Sequence, residues 1–144
     1  MKRFKFGLEK VLVLRQYSEQ EAKNELGRAI GILTSIENNI KINSARQNKA
    51  MQERFESISD SGNGALSMRT WDNYILRPEQ EGEVLAEQAA EAELVVEEKR
   101  NLYLEAGREL KVMEKLKEKR QREYRKEMFA VETRELDEVR REAT

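Results

Sequence analysis

Side chains that carry out catalysis or bind metals are scarce in this sequence. Its 144 residues include no cysteine and no histidine, which excludes disulfides, thiol nucleophiles and the usual zinc ligands. The glycine-rich run Gly62-Asn63-Gly64 lacks the lysine of a phosphate-binding loop and any strand before it. Glutamates that bind paired metal ions in helical bundles are accompanied by histidines. We therefore expect no enzymatic activity and no catalytic, cofactor-binding or metal-binding residues.

Charged residues make up 38% of the chain, and they are segregated along it. Residues 79–98 hold eight glutamates and no basic residue, whereas residues 99–126 hold eleven lysines and arginines against five glutamates. Most of these charges are expected to solvate helix surfaces. The net charge of −1 argues against nucleic-acid binding. An acidic protein surface is the better partner for the densest basic cluster, which comprises Lys115, Lys117, Lys119, Arg120, Arg122, Arg125 and Lys126.

The most informative apolar patch lies in the middle of the chain, at Trp71, Tyr74, Ile75 and Leu76. Two interpretations stay open. Trp71 covers the end of a helix pair, where the apolar pattern weakens, or the patch is an exposed contact site for a partner protein.

Elsewhere the sequence shows the seam of a coiled coil, in which mainly apolar residues recur at alternating spacings of four and three. One series comprises Ala22, Leu26, Ala29, Leu33, Ile36 and Ile40, and the other comprises Leu85, Ala89, Ala92, Val96, Lys99, Tyr103, Ala106, Leu110 and Met113. This pattern predicts an all-α fold: two long helices form an antiparallel coiled-coil hairpin, with a short helix near the turn. The expected bounds within one elongated domain, 1–144, are helix 4–56, turn 57–64, short helix 65–77 and helix 79–142. Pro78 is expected to separate the last two, since the residue before a proline is disfavoured in a helix. No segment approaches the roughly 20 apolar residues of a membrane span.

The pairing of the two helices can also be predicted. If the chain turns through residues 57–78, the numbers of facing residues add to about 135 or 136. Leu26 then faces Leu110, and Leu33 faces Tyr103, so that large residues meet large ones. The same rule places Arg15 opposite Arg120, which is unfavourable.

Three blocks of sequence resemble the FliJ family of flagellar export proteins. The first is Phe4-x-Phe6-x-Leu8-Glu9-x-Val11-Leu12-x-Leu14-Arg15, and the second combines Gly62-Asn63-Gly64 with Trp71-x-Asn73-Tyr74. The third runs from Arg108 to Arg120 and continues with Tyr124 and Leu136-Asp137-Glu138. The blocks occur in order over nearly the whole chain. The sequence departs from the family pattern at Pro78 and Gly82, which interrupt the helix expected after the second block.

The resemblance implies a soluble, non-enzymatic stalk of the flagellar type III export apparatus, cytoplasmic and associated with the flagellar base at the inner membrane through its partners. Those partners are the hexameric FliI-type export ATPase, the FlhA-type export gate protein and export chaperones. By analogy, the end that carries both termini enters the ATPase ring, and residues 71–76 face the gate. The implied ring contacts are Leu8, Leu12, Arg15, Lys119, Arg120, Arg122 and Tyr124; the implied gate contacts are Trp71, Tyr74, Ile75 and Leu76.

Two alternatives remain at this point. One is the stalk of a virulence-type secretion ATPase, which composition and helix pattern do not distinguish from a flagellar one. The other is a structural coiled coil that associates with itself, although the turn and Pro78 disfavour the long uninterrupted seam that this needs.

Overall fold

Two long helices make up the fold. The computed structural model describes residues 3–60 and 64–143, and their side chains over 3–56 and 77–143. Helix α1 spans Glu9–Asp60, and helix α2 spans Gly64–Ala143. The described part of the chain contains no strand. Since residues distant in sequence pair in reverse order along the two helices, the predicted all-α antiparallel hairpin is confirmed.

Each helix buries one narrow stripe of side chains, and the predicted seam positions lie in it. All positions of the series from Ala22 to Ile40 on α1 are buried or half-buried, as are those from Leu85 to Met113 on α2. Apolar residues outside the stripe remain in solvent, including Ile32 at 60% exposure and Leu94 at 73%. A stripe this narrow is typical of two paired helices without a further layer.

Pro78 does not end a helix, contrary to the sequence prediction. It lies inside α2, so residues 65–77 and 79–142 belong to one continuous helix. A proline in a helix interior removes one backbone donor and costs about 3 kcal/mol. Packing along a long helix outweighs one such loss. Of the predicted turn, residues 57–64, residues 57–60 belong to α1 and Gly64 begins α2, while residues 61–63 lie outside the described residues.

The predicted pairing of the helices is wrong for the same reason. The molecule divides into two units, one of residues 1–23 with 102–144 and the other of residues 24–101. In the first, Arg15 pairs with Glu109, so that the residue numbers add to 124. In the second, Glu25 and Lys99 also add to 124. The numbers of the helix ends, Asp60 and Gly64, also add to 124. The predicted 135 or 136 assumed a turn extending to Pro78.

The observed pairing brings large residues opposite small ones within the second unit. Asn43 and Gly82 lie close together, and their residue numbers add to 125. The same sum identifies the facing residues at the neighbouring seam positions. It places Leu33 opposite Ala92, Ile36 opposite Ala89 and Ala29 opposite Val96. Alternating sizes in this way keeps the distance between the helices even along the seam, which the predicted meeting of Leu33 with Tyr103 would not.

Among the described residues, no helix has an apolar stretch long enough to cross a membrane.

Candidate functional site

In the first unit, the N-terminal segment before α1, residues 3–8, packs against α2. Phe4 and Tyr124 stack with ring centroids 5.5 Å apart and planes tilted by 50°. The guanidinium of Arg120 lies 5.7 Å from the centroid of the Phe6 ring, a cation–π contact. Phe6 is only 8% exposed. The backbone amide of Glu9 donates to the carbonyl of Phe6, at 3.2 Å, which leads the segment into α1.

Two ion pairs join α1 to α2 beside this segment. Arg15 Nη1 lies 2.7 Å from Glu109 Oε2, and Lys117 Nζ lies 3.0 Å from Glu9 Oε2. Arg15 therefore has an acidic partner, and the unfavourable meeting of Arg15 with Arg120 predicted from the sequence is absent. Exposed pairs of this kind contribute about 0–1 kcal/mol each, so they guide the pairing more than they stabilise it.

The residues expected to contact an ATPase ring divide into two groups. Leu12 is 4% exposed and belongs to the seam. Arg15, Arg120 and Tyr124 are engaged by Glu109, Phe6 and Phe4. Three residues of the set remain exposed and without such a partner, namely Leu8, Lys119 and Arg122. Their role as contacts stays a prediction, and among the described residues they differ from the first group in being exposed without such a contact.

A stripe of six cations follows the solvent side of α2 in the first unit. Their spacing of three or four residues places them on one face of the helix, opposite Met113 and Tyr124. All six are exposed, and none makes an ion pair or hydrogen bond within the described part of the chain. Like charges at this spacing repel each other, and the stripe extends for about 27 Å. It comprises Arg108, Lys111, Lys115, Lys119, Arg122 and Lys126.

Helix α2 continues beyond the part that α1 and the N-terminal segment cover. From Phe129 to Ala143 every residue is exposed. The helix nevertheless carries large apolar side chains there, since Val131 is 42% exposed, Leu136 63% and Val139 62%. Their spacing of three residues places Leu136 and Val139 next to each other, and a shallow depression lies at these two residues.

The second unit carries a groove between α1 and α2. Its volume is about 540 Å³, and Ile42 and Val84, 51% and 53% exposed, supply apolar surface. Its nine lining residues are Asn39, Ile42, Asn43, Arg46, Gln80, Glu81, Val84, Leu85 and Gln88. The backbone of the expected gate contacts Trp71, Tyr74, Ile75 and Leu76 lies in α2, but their side chains lie outside the described residues. The two interpretations of Trp71 therefore both stand.

One ion pair of the second unit lies at the seam itself. Lys99 Nζ donates to Glu25 Oε2 at 3.0 Å. This hydrogen bond, together with the charge of Lys99, lowers the pKa of the Glu25 carboxyl below its ordinary value. The same bond raises the pKa of the Lys99 ammonium. Each shift means that the pair stabilises the charged form of both groups.

Sequence reasoning missed two features of this surface. The partners of Phe4 and Phe6 depend on the pairing of the helices, which no local pattern encodes. The cation stripe, in contrast, was visible in the regular spacing from Arg108 to Lys126, once Lys117, which pairs with Glu9, and Arg120, which contacts Phe6, are set apart from it. No group of three or more potential metal ligands occurs among the described residues.

Comparison with known protein families gives one match. The family model described as FliJ, flagellar FliJ protein, matches residues 4–143. Comparison with curated proteins gives no significant match, and neither does comparison with solved structures.

Proposed function

The chain belongs to the flagellar FliJ family, a family of flagellar export components, and on that premise we propose that it is a non-enzymatic stalk that binds the ring of the export ATPase. One observation carries the proposal: six exposed cations on one face of α2 lack any acidic partner within the described part of the chain. A carboxylate-lined partner surface would neutralise them and relieve their mutual repulsion. The proposed contacts are Leu8, Lys119 and Arg122, together with the rest of this stripe.

The exposed end of α2 extends the same proposal. Val131, Leu136 and Val139 present apolar surface that no other described part of the chain covers. In a protein that binds partners, such surface supplies the desolvated centre of a contact while the charges supply orientation. We assign residues 129–143 to the part that enters the ring.

Stimulation of the ATPase then needs no catalytic group from this protein. A stalk that touches several subunits of a ring favours the assembled ring by mass action, because it binds the assembly and not the separate subunits. ATP hydrolysis rises when the assembled ring is the active form. Arg15, Arg120, Tyr124 and Leu12 contribute by holding the helices and the N-terminal segment together.

The groove of the second unit is the proposed contact for the FlhA-type gate protein. Exposed Ile42 and Val84 lie between polar residues there, which is the usual arrangement of a protein contact. Trp71, Tyr74, Ile75 and Leu76 remain proposed gate contacts alongside the groove. By these two contacts the protein links ring and gate, and handles export chaperones, at the cytoplasmic side of the flagellar base.

The test is ATP hydrolysis by the cognate export ATPase with and without this protein, while light scattering follows ring assembly. We expect stimulation with the native chain and a loss of at least about tenfold in apparent affinity for the double substitution Lys119→Glu and Arg122→Glu. The matched control is Lys41→Glu with Lys49→Glu, which changes the charge equally at exposed positions of α1. Equal stimulation by both double variants would contradict the role of the stripe, and no stimulation by the native chain would contradict the stalk.

A further inference from the structure

Asn43 is a buried polar residue in the seam of the second unit. It is 7% exposed, and it occupies the seam position after Ile40. Its side-chain Nδ2 donates to the backbone carbonyl of Pro78 at 2.8 Å. A polar residue at one seam position of a coiled coil generally lowers stability and selects one alignment of the helices.

Gly82 makes this contact possible. A Cβ atom at Gly82 would lie 3.0 Å from Asn43 Nδ2, a closer approach than side chains normally make. In a helix, the carbonyl of residue 78 also accepts from the amide of residue 82, and a carbonyl oxygen has capacity for a second donor. The side chain of Asn43 therefore reaches a backbone acceptor that a larger residue at position 82 would obstruct.

The apolar seam alone does not fix this alignment. A slip by one heptad, from a total of 125 to 118, would again bring seam positions together, with Leu33 opposite Leu85 and Ala29 opposite Ala89. The turn would then centre on residue 59, which still lies within the turn-favouring run Ser57–Gly64. In either alignment, the seam side chains of one helix would pack between those of the other.

Asn43 distinguishes the two alignments. In the slipped one it would face residue 75, an isoleucine, and not a glycine. Its amide would then be buried without the Pro78 carbonyl, and an unsatisfied buried donor is costly. We propose that Asn43, the Pro78 carbonyl and Gly82 form a register lock, which holds the hairpin in the pairing seen here.

Disulfide trapping tests the lock directly, because the chain has no native cysteine. Cysteines at positions 33 and 92 report the native alignment, and cysteines at 33 and 85 report the slipped one. In the native background we expect crosslinking at 33/92 and little at 33/85. Asn43→Leu is expected to raise the yield of the 33/85 crosslink by roughly tenfold, as the loss of one buried hydrogen bond predicts.

Two further variants make the result decisive. Gly82→Ala keeps Asn43 but obstructs its approach, and alanine favours helix over glycine, so a folded hairpin with the same slip is expected. Gln47→Leu is the matched control, since Gln47 is the next seam position and is half-buried; it should leave the 33/85 yield unchanged. Absence of slip in both Asn43→Leu and Gly82→Ala would overturn the proposal, and so would equal slip in Gln47→Leu.

Discussion

The N-terminal segment shows at the scale of single residues how the first unit is held together. Phe4 and Phe6 were visible in the sequence as part of a family motif, but their partners Tyr124 and Arg120 were not. Contacts between residues more than a hundred positions apart follow from the pairing of the helices. The motif showed that these residues match the family, whereas their partners could be identified only from the fold.

Removal of the Phe6 ring is expected to destabilise the protein. Phe6→Ala deletes a nearly buried ring and the aromatic surface under Arg120, and should lower the free energy of unfolding by about 3 kcal/mol. Urea denaturation followed by circular dichroism measures this change. Phe129→Ala is the matched control, since Phe129 is 72% exposed, and its effect should stay within about 0.5 kcal/mol. Equal effects of the two variants would show that the N-terminal segment does not pack as described.

The ion pair of Glu25 with Lys99 predicts a dependence of stability on pH. Because the pKa of Glu25 is lowered in the folded protein, its contribution is complete above the unfolded value of about 4.5 and is lost as the pH falls through the folded value. Because the pKa of Lys99 is raised, its contribution is complete below about 10.5 and is lost as the pH rises through its folded value.

The measurement is the melting temperature of Glu25→Gln against the native protein from pH 3 to pH 7. We expect the variant to melt slightly lower at pH 7 and the difference to shrink as the pH falls through the lowered folded pKa of Glu25, where the native carboxyl also becomes neutral. Glu37→Gln, at an exposed position of α1, should show no such trend. A constant difference across the range would exclude the ion pair as its cause.

Helices are the scale at which sequence reasoning succeeded and failed most clearly. The seam positions from Ala22 to Ile40 and from Leu85 to Met113 were all predicted, because burial against one partner leaves a period of three and four residues. The bounds near Pro78 were wrong, since a local preference against helix was outweighed by packing along α2. The predicted pairing of the helices was wrong as a consequence, because a repeating seam is compatible with more than one alignment.

Pro78 is expected to lower the stability of α2. Pro78→Ala restores a backbone donor and removes the clash of the ring with the preceding turn, and should raise the free energy of unfolding by about 3 kcal/mol. Its carbonyl, which accepts from Asn43, is retained. Ala90→Pro, at an exposed position of the same helix, is the opposite control and should destabilise by a similar amount. A fall in stability for Pro78→Ala would mean that the proline ring packs productively.

At the scale of the whole chain, α2 ends in a segment, residues 129–143, that no other described residue covers. Deletion of residues 130–143 should therefore leave the melting temperature of the hairpin nearly unchanged, since those residues are all exposed in the described structure. Helix content by circular dichroism should fall, by at most the proportion of residues removed, since the end of α2 frays. A decrease of several degrees in melting temperature would show that this segment contacts the rest of the chain.

Function at this scale was predicted from family resemblance, and the family itself is confirmed over residues 4–143. Composition and residue spacing predicted a helical protein without a catalytic centre, but they did not predict its function. All three of Lys119, Arg120 and Arg122 are exposed, and only the contact of Arg120 with Phe6 of the N-terminal segment distinguishes it from the other two.

The exposed end of α2 also differs from an independent peptide of the same sequence. A free helix of about 15 residues is marginal in water, because its first turn must form at a probability of about one in a thousand. Residues 129–143 avoid that nucleation step, since the paired part of α2 already provides the preceding turns. Only propagation remains, so helix is lost gradually from Ala143 inwards and not all at once. A partner that binds near Val131 meets a formed helix, whereas one that binds near Val139 must bear the cost of ordering the last turns.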